Sequence, residues 1–180
     1  TWLHGLASCE WILLIDGDEV PGRALIDDLP RLVAATDVQQ YWLPTCWAYP
    51  DPHHWLDERP WYPDFHNRIV RNDATLRFSG VKHTIAEPVL PARYLQTPLY
   101  HLDCAVTDVG ARERKVARYE AARPGLEASV GGPLNERYYL PERFAHAAPV
   151  PVPARDRELI DRVLAARGTG RDPGPIPVVP

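Results

Sequence analysis

Glu10-Trp11-Ile12-Leu13-Leu14-Ile15-Asp16-Gly17-Asp18-Glu19-Val20-Pro21 is the stretch on which the reading of this chain turns. The apolar run 11–15, bounded by polar residues, has the length of a short buried strand. It ends in an acidic turn. Carboxylates at the C-terminal edge of a strand stand where α/β sheets bind ligands. Asp16 and Asp18, two positions apart, converge on one cation if Gly17 lets the backbone turn tightly. Hard divalent cations take carboxylate oxygens and keep positions open for phosphate oxygens. The chemistry implied is a metal-bound phosphate or diphosphate. The bland alternative is an acidic turn present for solvation alone.

Outward from this stretch, Pro21-Gly22 leads into a helical pattern with Leu25, Ile26, Leu29, Leu32 and Val33 at three- and four-residue spacings. Pro30 inside it predicts a break into two short pieces. Residues 41–49 read as a strand, 51–63 as a long loop rich in Pro, His and Trp, and 65–71 as a strand before the Asn72-Asp73 turn. Residues 76–78, 81–85 and 95–102 read as further short strands. A charged helix over 109–123 stops at Pro124-Gly125. Residues 149–153 read as a Val/Pro linker, 155–167 as an amphipathic helix, and 168–180 as a disordered Gly/Pro-rich tail. The expected division is a domain over 1–148, a linker with a helix over 149–167, and a tail over 168–180. The fold class is α/β, with a mixed sheet and flanking helices.

The chain has 180 residues, 45% apolar and 24% charged, enough for one core. A net charge of −4 argues against nucleic acid as a partner. No stretch approaches the roughly 20 apolar residues of a membrane span, and no secretory signal pattern is present. Cys9, Cys46 and Cys104 are too widely spaced for a zinc pattern or a disulfide framework, which points to a reducing cytoplasm. Methionine is absent, so Thr1 is read as an internal position of a longer protein.

Residues 11–21 resemble the D-x-D segment of family 2 glycosyltransferases with the GT-A fold, where this strand ends in D-x-D-E and a short helix follows. Trp61-Tyr62-Pro63-Asp64-Phe65-His66-Asn67-Arg68-Ile69-Val70-Arg71 resembles the strand in which many bacterial members carry R-L-F-R. Phe78-Ser79-Gly80-Val81-Lys82-His83-Thr84 resembles their G-x-V-H-E element, and Leu99-Tyr100-His101-Leu102 their later apolar-His strand. The resemblance covers about residues 9–123. It departs from the family in two places. Thr84 replaces the usual Glu, which removes that acid/base candidate. Only residues 1–10 precede the D-x-D strand, where the family has its nucleotide-binding β/α units. The resemblance therefore implies a GT-A-like sheet whose N-terminal nucleotide-binding half is missing from this chain.

The implied activity is inverting transfer of a sugar from a nucleotide-diphosphate sugar donor to a carbohydrate or lipid-linked acceptor. A lipid-linked acceptor would bring peripheral contact with a membrane. The implied cofactor is Mg²⁺ or Mn²⁺, which stabilises the leaving diphosphate as a Lewis acid. Asp18 would bind the metal, Asp16 the metal or the donor ribose, and His101 would supply a third ligand. Glu19 would stand behind them. His83 would orient the acceptor or act as base, with Asp64 and Glu87 as further bases. Arg68 and Arg112 would bind substrate, with Arg114 and Lys115 as further cations. Trp55 and Trp61 would stack on sugar in an acceptor cleft, while Trp42 and Trp47 fill the core. The loop residues His53, His54, Asp57 and His66 match no zinc spacing and read as solvated. The upstream half of the domain is an expected partner, because an incomplete sheet exposes a strand edge.

Two other classes fit parts of the sequence. Residues 15–20 match the hydrophobic-D-x-D-x-[T/V] motif of haloacid-dehalogenase-type phosphatases, with Asp16 as nucleophile and Asp18 as general acid. That class needs a later lysine, Lys82 or Lys115, and a second acidic pair. A carbohydrate-binding remnant without catalysis is the other.

Overall fold

The computed structural model describes residues 7–74, 76–78, 86–122 and 132–168; the strand expected over 81–85 and the candidate His83 lie outside them. Strands β1 (Trp11–Leu13), β2 (Glu19–Pro21), β3 (Gln40–Trp47), β4 (His54–Trp55), β5 (Asp64–Arg71), β6 (Ala92–Tyr94), β7 (Leu99–His101) and β8 (Val150–Pro151) alternate with helices. The helices are α1 (Arg23–Val33), α2 (Asp103–Val106), α3 (Val109–Ala122), α4 (Leu134–Tyr139), α5 (Pro141–Phe144) and α6 (Ala154–Gly168). The main sheet runs β1-β5-β3-β7-β2, and β6 also pairs with β3. β3 is parallel to β6 and β7, whereas the β1–β5, β3–β5 and β2–β7 pairs are antiparallel. The chain is thus a mixed α/β fold with a curled mixed sheet and flanking helices. Among the described residues no helix is long and apolar enough to cross a membrane.

β1 is an edge strand rather than a buried one. It pairs only with β5 among the described residues, and Leu13 and Ile15 remain 37% and 38% exposed. Pro30 does not divide α1. It lies in the last turn, where a proline removes a single backbone bond. Beyond it Leu32 is 2% exposed and packs with Leu25, Tyr41, Leu43 and Ile69, which secures that turn. Residues 76–78 are irregular, and of the strand expected over 95–102 only Leu99–His101 forms, as β7; residues 95–98 are irregular and β6 lies before them.

The segment expected as a linker is part of the core. Val150 and Pro151 form β8 against β4, and Val152 is buried with Val20, Cys46, Tyr100, Leu102 and Ile160. A proline without an N–H is tolerated in such a two-stranded edge. Ile160 of α6 is fully buried in the same cluster. Asp156, at the start of α6, accepts hydrogen bonds from the Arg23 N–H and the Tyr100 hydroxyl, both at 2.8 Å. The first bond caps α1, whose own N-cap Gly22 has no side chain to offer. Gly22 is required there by space as well: a Cβ would stand 3.0 Å from Pro98 Cγ and 3.1 Å from the Pro98 carbonyl.

Candidate functional site

The acidic turn is closed by the Glu19 N–H donating to the Asp16 carbonyl at 3.0 Å. β2 begins immediately after it, and its first residue, Glu19, is the register partner of His101 on β7. The Leu102 N–H bonds to the Asp18 carbonyl at 2.8 Å, so the ladder continues one step into the turn. This pairing brings Asp18 and His101 together although they are 83 positions apart in the sequence. His101 Nε2 stands 3.6 Å from Asp18 Oδ2. Two ligands of one ion, each about 2.0–2.6 Å from it, lie no more than about 5 Å apart, and this pair meets that limit.

His101 is 8% exposed, and neither ring nitrogen makes a hydrogen bond among the described residues; Nδ1 is fully enclosed without a partner. Burial lowers its pKa, outweighing the nearby Asp18 and Asp103 carboxylates, which favours the neutral ring. A neutral imidazole is the form that ligates metal. The ring is packed by Trp47, whose centroid lies 4.1 Å away. These two residues fit two coordination positions of a divalent cation. No group of three or more His, Cys, Asp or Glu converges among the described residues, so the expected set of Asp16, Asp18 and His101 does not assemble. Asp16 is turned away, with Oδ2 at 3.4 Å from Arg68 Nη2.

Arg68 and Glu19 form a buried ion pair behind the turn, with side chains 5% and 0% exposed. Glu19 also accepts the Asp16 N–H at 2.9 Å, which fixes the turn from below. Arg68, expected to bind substrate, is therefore engaged within the protein. Burial raises the Glu19 carboxyl to about 7, against the opposing pull of Arg68 and the Asp16 N–H. The sign of the consequence follows. The folded state binds this proton more tightly than the unfolded state, so stability falls as pH rises from the ordinary carboxyl value to about 7. The fall is on the order of 3 kcal/mol. Urea denaturation at about pH 5 and about pH 8 should show it. In Glu19→Gln this contribution to the slope should vanish.

The other expected site residues divide. Asp64 is 15% exposed; Oδ2 accepts the Trp47 Nε1–H at 3.1 Å and stands 3.1 Å from His66 Nε2. Burial and the nearby Asp64 carboxylate push the Tyr138 phenol up. Asp64 thus joins the site across Trp47, as an acceptor engaged by the Trp47 N–H. Arg112 does not bind substrate in this arrangement. It is 4% exposed and donates to the Thr107 and Tyr139 carbonyls and to Glu142, because α4 and α5 fold over that face of α3. Trp61 is not in an acceptor cleft either. It is 1% exposed in a core cluster, with Nε1–H on the Tyr138 carbonyl. Trp55 is half-buried against Tyr62, beside the α6 cluster and apart from Trp61. Trp42, expected inside, is half-buried and stacks on the exposed Tyr94.

Lys115, expected among the further helix cations or as a phosphatase lysine, is engaged within the protein. Its Nζ bonds to Asp103 at 2.7 Å and lies 4.5 Å from the Tyr139 ring. Tyr138, Tyr139 and Arg167 were not legible as site residues. Arg167 donates to the Gly17 carbonyl. Searches against protein-family models, curated proteins and solved structures find no match to this chain.

Proposed function

We propose that the chain is part of a metal-dependent GT-A glycosyltransferase that moves a sugar from a nucleotide-diphosphate donor to an acceptor, with inversion. One observation carries this reading: Nε2 of the buried His101 stands 3.6 Å from the carboxylate of Asp18, which follows an apolar strand in an acidic turn. A divalent cation there would act as a Lewis acid on the diphosphate oxygens as the sugar bond breaks. Asp18 and His101 would hold it, and Glu19 and Arg68 keep the turn that carries Asp18 in place. Trp47 fixes the His101 ring and excludes water from that side. Asp64, within the same group of side chains, is the acceptor candidate for the proton of the incoming hydroxyl. The phosphatase reading needs a lysine and a second acidic pair around Asp16. Among the described residues Asp16 meets Arg68, and Lys115 is engaged by Asp103.

The direct test is to titrate Mn²⁺ into the protein and follow the imidazole resonances by NMR. Paramagnetic broadening should fall first on His101. If His53, His54 or His66 broadens and His101 does not, the reading is lost.

Among the described residues the outer edge of β1 has no pairing strand, and Leu13 and Ile15 beside it are exposed. An unpaired edge with apolar side chains pairs with other chains. The protein should therefore sediment as concentration-dependent oligomers. Leu13→Lys together with Ile15→Lys should return most of it to monomer. Unchanged association in the double variant would place the sticky surface elsewhere.

A further inference from the structure

The C-terminal helix reaches the acidic turn. Its first turn is pinned by Asp156 to β7 and α1, its middle by the buried Ile160, and Asp161 Oδ1 meets His53 Nε2 at 2.7 Å. From this seat Arg167, in the last turn of α6, donates from Nη2 to the carbonyl of Gly17, between Asp16 and Asp18. The side chain is exposed, and among the described residues no carboxylate pairs with it. A guanidinium is a fork of several N–H donors, so one bond to a neutral carbonyl leaves most of it unused.

The other cations around the site are committed. Arg68 pairs with Glu19, Lys115 with Asp103, and Arg112 with Glu142 and two carbonyls. A divalent cation held by one carboxylate and one neutral imidazole keeps a single positive charge. A diphosphate brings more negative charge than that. The remainder needs a cationic side chain with free donors, and a planar guanidinium suits phosphate oxygens. The enclosed His101, with Nε2 at 3.6 Å from Asp18, marks where the first charge would sit.

We infer that Arg167 is a diphosphate-binding residue, carried to the acidic turn by α6. This rests on the glycosyltransferase reading and adds to it a contribution from the C-terminal helix. The test uses Mn²⁺ and inorganic pyrophosphate as probes, since pyrophosphate needs no base- or ribose-binding half. Mn²⁺ binding is read from the electron paramagnetic resonance signal of the free ion, and pyrophosphate binding by calorimetry with Mn²⁺ present. Arg167→Ala, at an exposed position, should bind Mn²⁺ as the wild type does and bind pyrophosphate about tenfold more weakly. Arg167→Lys should recover part of the loss. If Arg167→Ala binds pyrophosphate as tightly as the wild type, the inference is overturned and the metal site stands. If Arg167→Ala loses Mn²⁺ as well, Arg167 shapes the turn and does not bind phosphate. If the wild type itself takes up no Mn²⁺, the glycosyltransferase reading falls and the inference falls with it.

Discussion

Asp18→Asn should weaken Mn²⁺ binding by about a hundredfold, close to 3 kcal/mol. Asp18 supplies the only carboxylate of the converging pair, and its side chain is 27% exposed, so its charge is only partly screened by water. Asparagine keeps the shape and one oxygen but removes the charge that attracts the cation. The backbone should be undisturbed, because the Asp18 carbonyl, not its side chain, bonds to Leu102. His101→Ala should cost less, since a water can take its position. Asp16→Asn should cost least, because that side chain is turned to Arg68. The measurement is the Mn²⁺ affinity of the three variants, with circular dichroism to confirm that each is folded. Equal losses at Asp16 and Asp18 would mean that the turn acts as a diffuse acidic patch, and would remove the site as drawn.

Asp156→Ala should destabilise the fold by about 3 kcal/mol. The loss has two parts. The cap on the α1 N-terminus contributes about 1 kcal/mol. The Tyr100 hydroxyl, buried at 2% residue exposure, is left without its acceptor, which costs about 1–3 kcal/mol. Asp156→Asn keeps one acceptor oxygen and should lose about half as much. Urea denaturation by fluorescence and by far-ultraviolet dichroism should agree on the shift. A loss below about 1 kcal/mol would show that α6 is held by its apolar face alone.

Local features of the sequence carried the local structure. The Leu25–Leu29–Leu32 spacing defined α1, the bulky run over 41–49 defined β3, and the apolar run before Asp16 defined β1 with its turn. Asp18 and His101 as a pair were also legible, through the resemblance of both segments to one family. What the sequence could not show is decided by distant partners. Arg112 lies on a charged helix whose inner face is set by α4 and α5, and those arise from a stretch with little pattern. Trp61 stands in a loop rich in Pro and His, but the Tyr138 carbonyl and the α3–α5 cluster enclose it. Residues 149–153 look like a linker until β4 supplies a strand to pair with. Pro30 breaks a helix in isolation, and the burial of Leu32 retains the turn after it.

The bond from the Arg23 N–H to Asp156 spans 133 positions, and it has a consequence for the order of events during synthesis. Until residue 156 has been made, α1 lacks the Asp156 acceptor for its leading N–H, and the Tyr100 hydroxyl lacks the same partner. The strand that carries Tyr100 also carries His101. Contacts this far apart form late, because closing a long loop is entropically costly. A nascent chain arrested before residue 156 therefore holds Asp18 and His101 on a β2–β7 pair that still lacks its anchor to α6.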